Sequence, residues 1–398
     1  MNDILARYMK DISGMELDEA AAWFEKNKAS GGLLAEKEYS AYLMAKEQEA
    51  KAFEIISSYA SDAMDAKDDL HDSQLVDVAR SLFVFGTEAM TYLENGVACD
   101  CFEAAALLYG KAFKETKDDD ALLLQYQQDV ARQMVGDNIS DVLKWQSIEN
   151  GIATLVSSAK DMSQVSRAFA TSLIAKTYAV RAKVYQTALM NSTALDFYMN
   201  AMRMGKEAGE VLRKNLAYAG MIDVKASAAD VYIMLSDGYS SLGNLFMDFD
   251  PVSSIDSLES ALKAIDIARN ELYVPKDSLL LFECNTYSRL ALCHMRQDKD
   301  AKAAEYVEKA IALQKEACQL FDLEFVYTEL CLSYYSACSI FESLKQPEKV
   351  MEYGKAGLAA YEKGKEAGEE VPDQEIYNDL KRYASGKKKG FLAKLFGA

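Results

Sequence analysis

Apolar residues recur along this chain at intervals of three and four, as in "YAVRAKVYQTALMNSTALDFYMNAM" (178–202). That spacing keeps a stripe on one face of a helix, whereas a strand would alternate every second residue. No run of alternating Val, Ile and Thr bounded by Asn-Gly turns occurs. Breaks at "NKASGG" (27–32), "KDDLHDS" (67–73), "ETKDDD" (115–120), "VGDN" (135–138), "MNST" (190–193), "FDPVSS" (249–254), "RQDKD" (296–300), "KQPEK" (345–349) and "EEVPDQ" (369–374) divide the chain. The segments between them predict helices of roughly 15 to 25 residues, several with Asp, Ser or Thr placed to cap the first turn. The first proline is Pro251, and Pro275, Pro347 and Pro372 each stand at a segment edge, so helix interiors are free of the residue that breaks them. The expected fold class is all-α.

The helices repeat in pairs. Tyr178, Ala182 and Tyr185 precede Ala194, Tyr198 and Ala201; Tyr287, Ala291 and His294 precede Ala303, Val307 and Ala310. Tyr334, Cys338 and Phe341 precede Val350, Gly354 and Gly357, again with a step of 16 residues between the helices. Two looser copies read as Tyr232, Ser236 and Tyr239 before Ser257, and Phe85, Ala89 and Tyr92 before Ala105, Tyr109 and Ala112. Small residues let two antiparallel backbones approach while rings fill the notch opposite. One pair cannot bury both of its faces, so the pairs must stack.

This pattern resembles the tetratricopeptide repeat (TPR) family; "DAKAAEYVEKAIAL" (300–313) and "CFEAAALLYGKAF" (101–113) look like its second helix. The resemblance implies a right-handed superhelical array of antiparallel helix pairs, a TPR-like α-solenoid. First aromatics at 178, 232, 287 and 334 lie 54, 55 and 47 residues apart, longer than the family's usual ~34, and no Trp-x2-Leu-Gly opening is present. The expected organisation is an N-terminal helical cap or bundle over 1–75, the repeat array over 76–384, and a flexible basic tail over 385–398.

What the family implies about function is a non-catalytic scaffold that holds a peptide or helix of a partner in a groove lined by the first helices. Residues two before and five after each first aromatic would face it: Lys176 and Lys183, Asp230 and Asp237, Asn285 and Leu292, Leu332 and Ser339, with Arg289 and Arg296 near the same stripe. A second reading is a peptide-sensing regulator resembling bacterial quorum-sensing receptors, which join a helical bundle to such an array; residues 1–75 could supply the bundle, though none of their motifs is matched.

Charge narrows the partners. The net charge is -18, and phosphate binding calls for a basic stripe, so the partner is expected to be protein and not nucleic acid. No stretch of about 18 apolar residues or secretory leader is seen, and the expected location is cytoplasmic. Seven scattered cysteines fit reduced thiols better than a disulfide framework.

Catalytic and metal motifs are absent: there is no phosphate loop and no His-Glu-x2-His pair, and "GYSSLG" (238–243) is too long for a nucleophile elbow. His71 reads as solvated and His294 as a packing ring. Cys99-Asp-Cys101 lacks zinc-knuckle spacing. No cofactor and no metal are expected, and the protein reads as not an enzyme; carboxylates in a helical pocket are a third reading. Lys387, Lys388, Lys389 and Lys394 interleave with Phe391, Leu392, Leu395 and Phe396. On a helix those four apolar side chains fall within about 140°, so the tail is read as an inert solubilised end, a weak contact for a membrane or a partner, or a segment docked on the protein's own acidic surface.

Overall fold

The computed structural model describes residues 5–9, 11–320 and 326–386. Among them sixteen α-helices and no strand occur, packed as consecutive neighbours into an all-α, solenoid-like structure. The chain divides into two units, Met1–Ser227 and Ala228–Ala398. The division falls within a helix, in a stretch whose sequence reads as continuous.

The first unit holds α1 (Leu17–Gly31), α2 (Leu33–Ala45), α3 (Glu49–Asp65), α4 (Asp72–Thr91), α5 (Asn95–Thr116), α6 (Asp119–Gln133), α7 (Val142–Ser158), α8 (Gln164–Thr187) and α9 (Asn191–Arg213). Helix α10 (Val224–Phe246) begins in the first unit and runs into the second. There follow α11 (Pro251–Asn270), α12 (Lys276–Arg296), α13 (Asp300–Leu320), α14 (Val326–Ser343), α15 (Pro347–Glu366) and α16 (Gln374–Ala384). The starts follow the polar breaks. Asp118, Asp141, Ser163, Asp250 and Asp373 each accept a hydrogen bond from a first-turn N–H, and Pro251 and Pro347 stand in the first turn of their helices.

Five hairpins close through one turn. Glu47, Leu93, Leu189, Asp298 and Lys345 adopt left-handed backbone with φ of 57°, 62°, 59°, 55° and 57°. In each, the next residue's N–H reaches back 2.9 Å to a carbonyl five residues earlier, as Gln346 does to Phe341. This is a helix-ending motif that glycine usually serves, built here without one. Counting from it aligns the packing positions. The second helix buries positions five, nine and twelve after the turn residue: Ala52, Ile56 and Tyr59; Ala98, Phe102 and Ala105; Ala194, Tyr198 and Ala201; Ala303, Val307 and Ala310. Val350, Gly354 and Gly357 follow suit.

Two registers differ from those read in sequence. In α4 the turn selects Leu82, Gly86 and Ala89 facing Ala98, Phe102 and Ala105, three to seven residues from the Phe85 and Ala105 sets. In α11 the buried small residue is Ser254, whose hydroxyl donates to Gly243 O at 2.6 Å, and Ser257 is only half-buried. The α2/α3 hairpin also belongs to the series, with Glu36, Ser40 and Leu43 at the ring, small and ring positions, all buried.

Candidate functional site

In the second unit, successive first helices are tied by side-chain hydrogen bonds along one face. Arg289 Nη1 on α12 donates to Ser240 Oγ on α10 at 2.7 Å, and Ser288 on α12 meets Ser333 on α14 at 3.3 Å. Tyr335 on α14 donates to Asp379 on α16 at 3.3 Å, and Ser339 meets the Tyr383 hydroxyl at 3.4 Å. These contacts orient Arg289 and Ser339 on a face that stays accessible: Asp237, Arg289, Leu292, Leu332 and Ser339 are half-buried, and Asp230, Asn285 and Arg296 are exposed. Arg296 is paired with Asp248. Glu329 also belongs to this face; burial pushes its carboxyl up, against the pull of Arg289.

In the first unit, Lys176 is half-buried and Lys183 exposed on α8. Between them lies an ion pair that spacing did not reveal. Both Glu149 oxygens stand 3.0 Å from Arg181 Nη1, Thr177 Oγ1 donates to the same carboxylate at 2.8 Å, and the guanidinium sits 4.3 Å from the Phe197 ring centroid. It clamps α7, α8 and α9 together. The tail residues Lys387, Lys388, Lys389, Phe391, Leu392, Lys394, Leu395 and Phe396 lie outside the described residues.

The titratable groups are spread through the fold. Burial raises the carboxyls of Glu36, Glu88, Asp129 and Glu329, which sit on α2, α4, α6 and α14. An open depression of about 600 Å3 between α11 and α12 is lined by Leu262, Asp266, Arg269, Glu283 and Tyr287; Arg269 and Glu283 pair with each other there. Among the described residues no group of three His, Cys, Asp or Glu could hold a metal, and no helix is long and apolar enough to cross a membrane. His71 is exposed, 3.7 Å from Glu115.

His294 is buried against Tyr306, rings stacked 5.4 Å apart. Burial, helped by Lys302 and Lys299, holds its pKa below the ordinary 6.5. A folded state that resists the proton loses stability as pH falls through about 6.5, where the unfolded chain takes the proton first. His294→Phe keeps the ring and removes that loss. The midpoint of thermal unfolding should drop less for the variant than for the native protein between pH 7.5 and 5.5; parallel curves would refute this.

No family model matches the chain, and no curated protein matches it. Among solved structures it is similar to a chain described under "The hypoxic regulator of sterol synthesis Nro1 is a nuclear import adaptor". Identity is 12%, the match covers 85% of this chain and 99% of that one, and the TM-score is 0.49. A likeness of that degree carries no functional weight.

Proposed function

We propose that the protein is a non-catalytic, TPR-like interaction scaffold that holds a peptide or helix of a protein partner against its first-helix face. The observation that supports this most is the polar row on α10, α12 and α14. Arg289 and Ser339 are oriented there by hydrogen bonds to neighbouring helices, and both stay half-exposed. An oriented, half-exposed surface binds at a lower entropic cost than one whose side chains must be ordered on contact. Asp230, Asp237, Asn285, Arg289 and Arg296 supply the polar contacts on this face, with Leu292 and Leu332 as apolar anchors; Lys176 and Lys183 form a separate basic pair on α8.

The reading is tested by placing a photo-crosslinking phenylalanine derivative at Leu292 or Leu332 of the full chain, and at Lys309 on α13 as a control. Partner adducts are expected from the first two positions and not from the third. Reversing charge with Asp237→Lys and Arg289→Glu should lower adduct yield at least tenfold, since losing a central hot-spot contact costs about 2 kcal/mol or more. Equal yields with both charges reversed would remove this face from contention.

A further inference from the structure

The open depression between α11 and α12 has a packed counterpart one hairpin later. Helices α11 and α13 align on their buried triplets, Ser254, Leu258 and Ala261 with Ala303, Val307 and Ala310, so Arg269 stands where α13 has Cys318. Helices α12 and α14 align on Tyr287 and Tyr334, so Glu283 stands where α14 has Leu330. In the later pair the leucine is buried and the cysteine packs against the same apolar cluster. In the earlier pair the two places hold an ion pair, and a space of about 600 Å3 opens over it. Apolar side chains in such a seam are often the more stable solution, so the charged lining calls for another reason.

Inside the depression the donors outnumber the acceptors. Arg269 spends Nη2 on Glu283, its Nε is buried without an acceptor, and its side chain is 32% exposed. The Tyr287 hydroxyl is a second donor: burial and then Glu283 push its pKa up, with Lys309 and Arg269 pulling the other way, so it keeps its proton at neutral pH. Lys263 stands exposed on the rim. Of the two carboxylates in the lining, Glu283 is taken by Arg269, and Asp266 accepts from Asn270 at 2.6 Å. The group that would complete the site is an acceptor, and the planar fork of a guanidinium matches a carboxylate. Half-buried Leu262 and Ile267, with the Tyr287 ring, make the rest of the wall apolar. The volume lies within the ~300–1,000 Å3 typical of small-molecule sites.

We propose that this depression binds a small carboxylic acid with an apolar body, the carboxylate on Arg269 and the Tyr287 hydroxyl and the body against Leu262 and Ile267. On α12, Glu283 and Tyr287 lie about 185° around the helix from Asn285, Arg289 and Leu292, at 100° per residue. The site therefore faces away from the first-helix surface, and either can fail without the other.

The test is isothermal titration of the full chain with N-acetylphenylalanine and with N-acetylphenylalaninamide, its uncharged counterpart. The acid should bind at least tenfold more tightly than the amide, about what one charge-assisted hydrogen bond contributes. Arg269→Lys keeps a cation beside Glu283 but removes the fork, and should abolish that preference. Lys263→Glu changes only an exposed side chain and should weaken the acid about threefold. A pentapeptide ending in a free phenylalanine carboxylate separates a chain terminus from a free acid as the source: the free acid should bind at least as tightly. No binding of the acid at millimolar concentration, equal affinity for acid and amide, native affinity in either variant, or tighter binding of the peptide would overturn the proposal.

Discussion

Replacing Glu149 with alanine is expected to destabilise the unit spanning Met1–Ser227 by about 3–5 kcal/mol. The Arg181 side chain is 7% exposed and its guanidinium lies over Phe197. With the carboxylate gone, the buried cation keeps only the Phe197 ring face and the Tyr185 side chain. The cost comes mainly from stranding the charge and only in part from losing the pair, so removing both charges should be milder. Glu149→Leu combined with Arg181→Met should recover most of the loss, because apolar side chains of similar volume often replace a buried ion pair without penalty. Urea unfolding of the full chain and these two variants compares the losses directly. A single variant costing less than about 1 kcal/mol, or a double no better than Glu149→Ala, would show that Arg181 is solvated.

Gly354→Ala carries the second large effect, and its sign is informative. At a solvent-facing helical site, alanine is the better residue by about 1 kcal/mol. At Gly354 a Cβ would stand 2.6 Å from Ala384 N and 2.9 Å from both the Tyr383 carbonyl carbon and its Cβ. Two of those atoms are backbone, so α16 must move bodily away from α15. Overpacking of this kind costs about 1–3 kcal/mol after the helix-propensity gain is set against it. Gly357→Ala should cost less, because its nearest neighbour at 2.7 Å is the Leu380 Cδ2 methyl, which can rotate. A rise in unfolding temperature for Gly354→Ala would mean that α16 is not seated there.

How much of this was visible in the sequence depended on side-chain type. The hairpins at Tyr178, Tyr287 and Tyr334 could be read because ring, small residue and ring recur at fixed spacing. The α2/α3 hairpin has the same turn but puts Glu36 at the first ring position and Ser40 at the small one, so its pattern looks like a solvated face. The structure buries Glu36 all the same, beside Lys28 at 3.3 Å and Ser58 at 3.1 Å. In α4, Leu82 and Phe85 are both fully buried, and residue type alone cannot choose between two apolar triplets. The first-helix charges were legible from spacing. The hydrogen bonds on that face were not, because Arg289 meets Ser240, Ser288 meets Ser333 and Tyr335 meets Asp379 across 49, 45 and 44 residues of chain.

The shared turn also bears on how the chain folds as it is synthesised. Each hairpin pairs helices that are adjacent in sequence, so the loop to be closed is short and closure is fast. Left-handed backbone at a residue other than glycine costs roughly 1–2 kcal/mol, a local charge that packing within the same hairpin can offset at once. Yet the outer side of a second helix waits for the next pair, as α3 waits for α5 and α5 for α6. Synthesis therefore leaves bare, at any moment, little more than the apolar side of the newest helix. Nascent chains of this architecture bury their adhesive surface in small instalments, which limits the time any one stretch is available for aggregation.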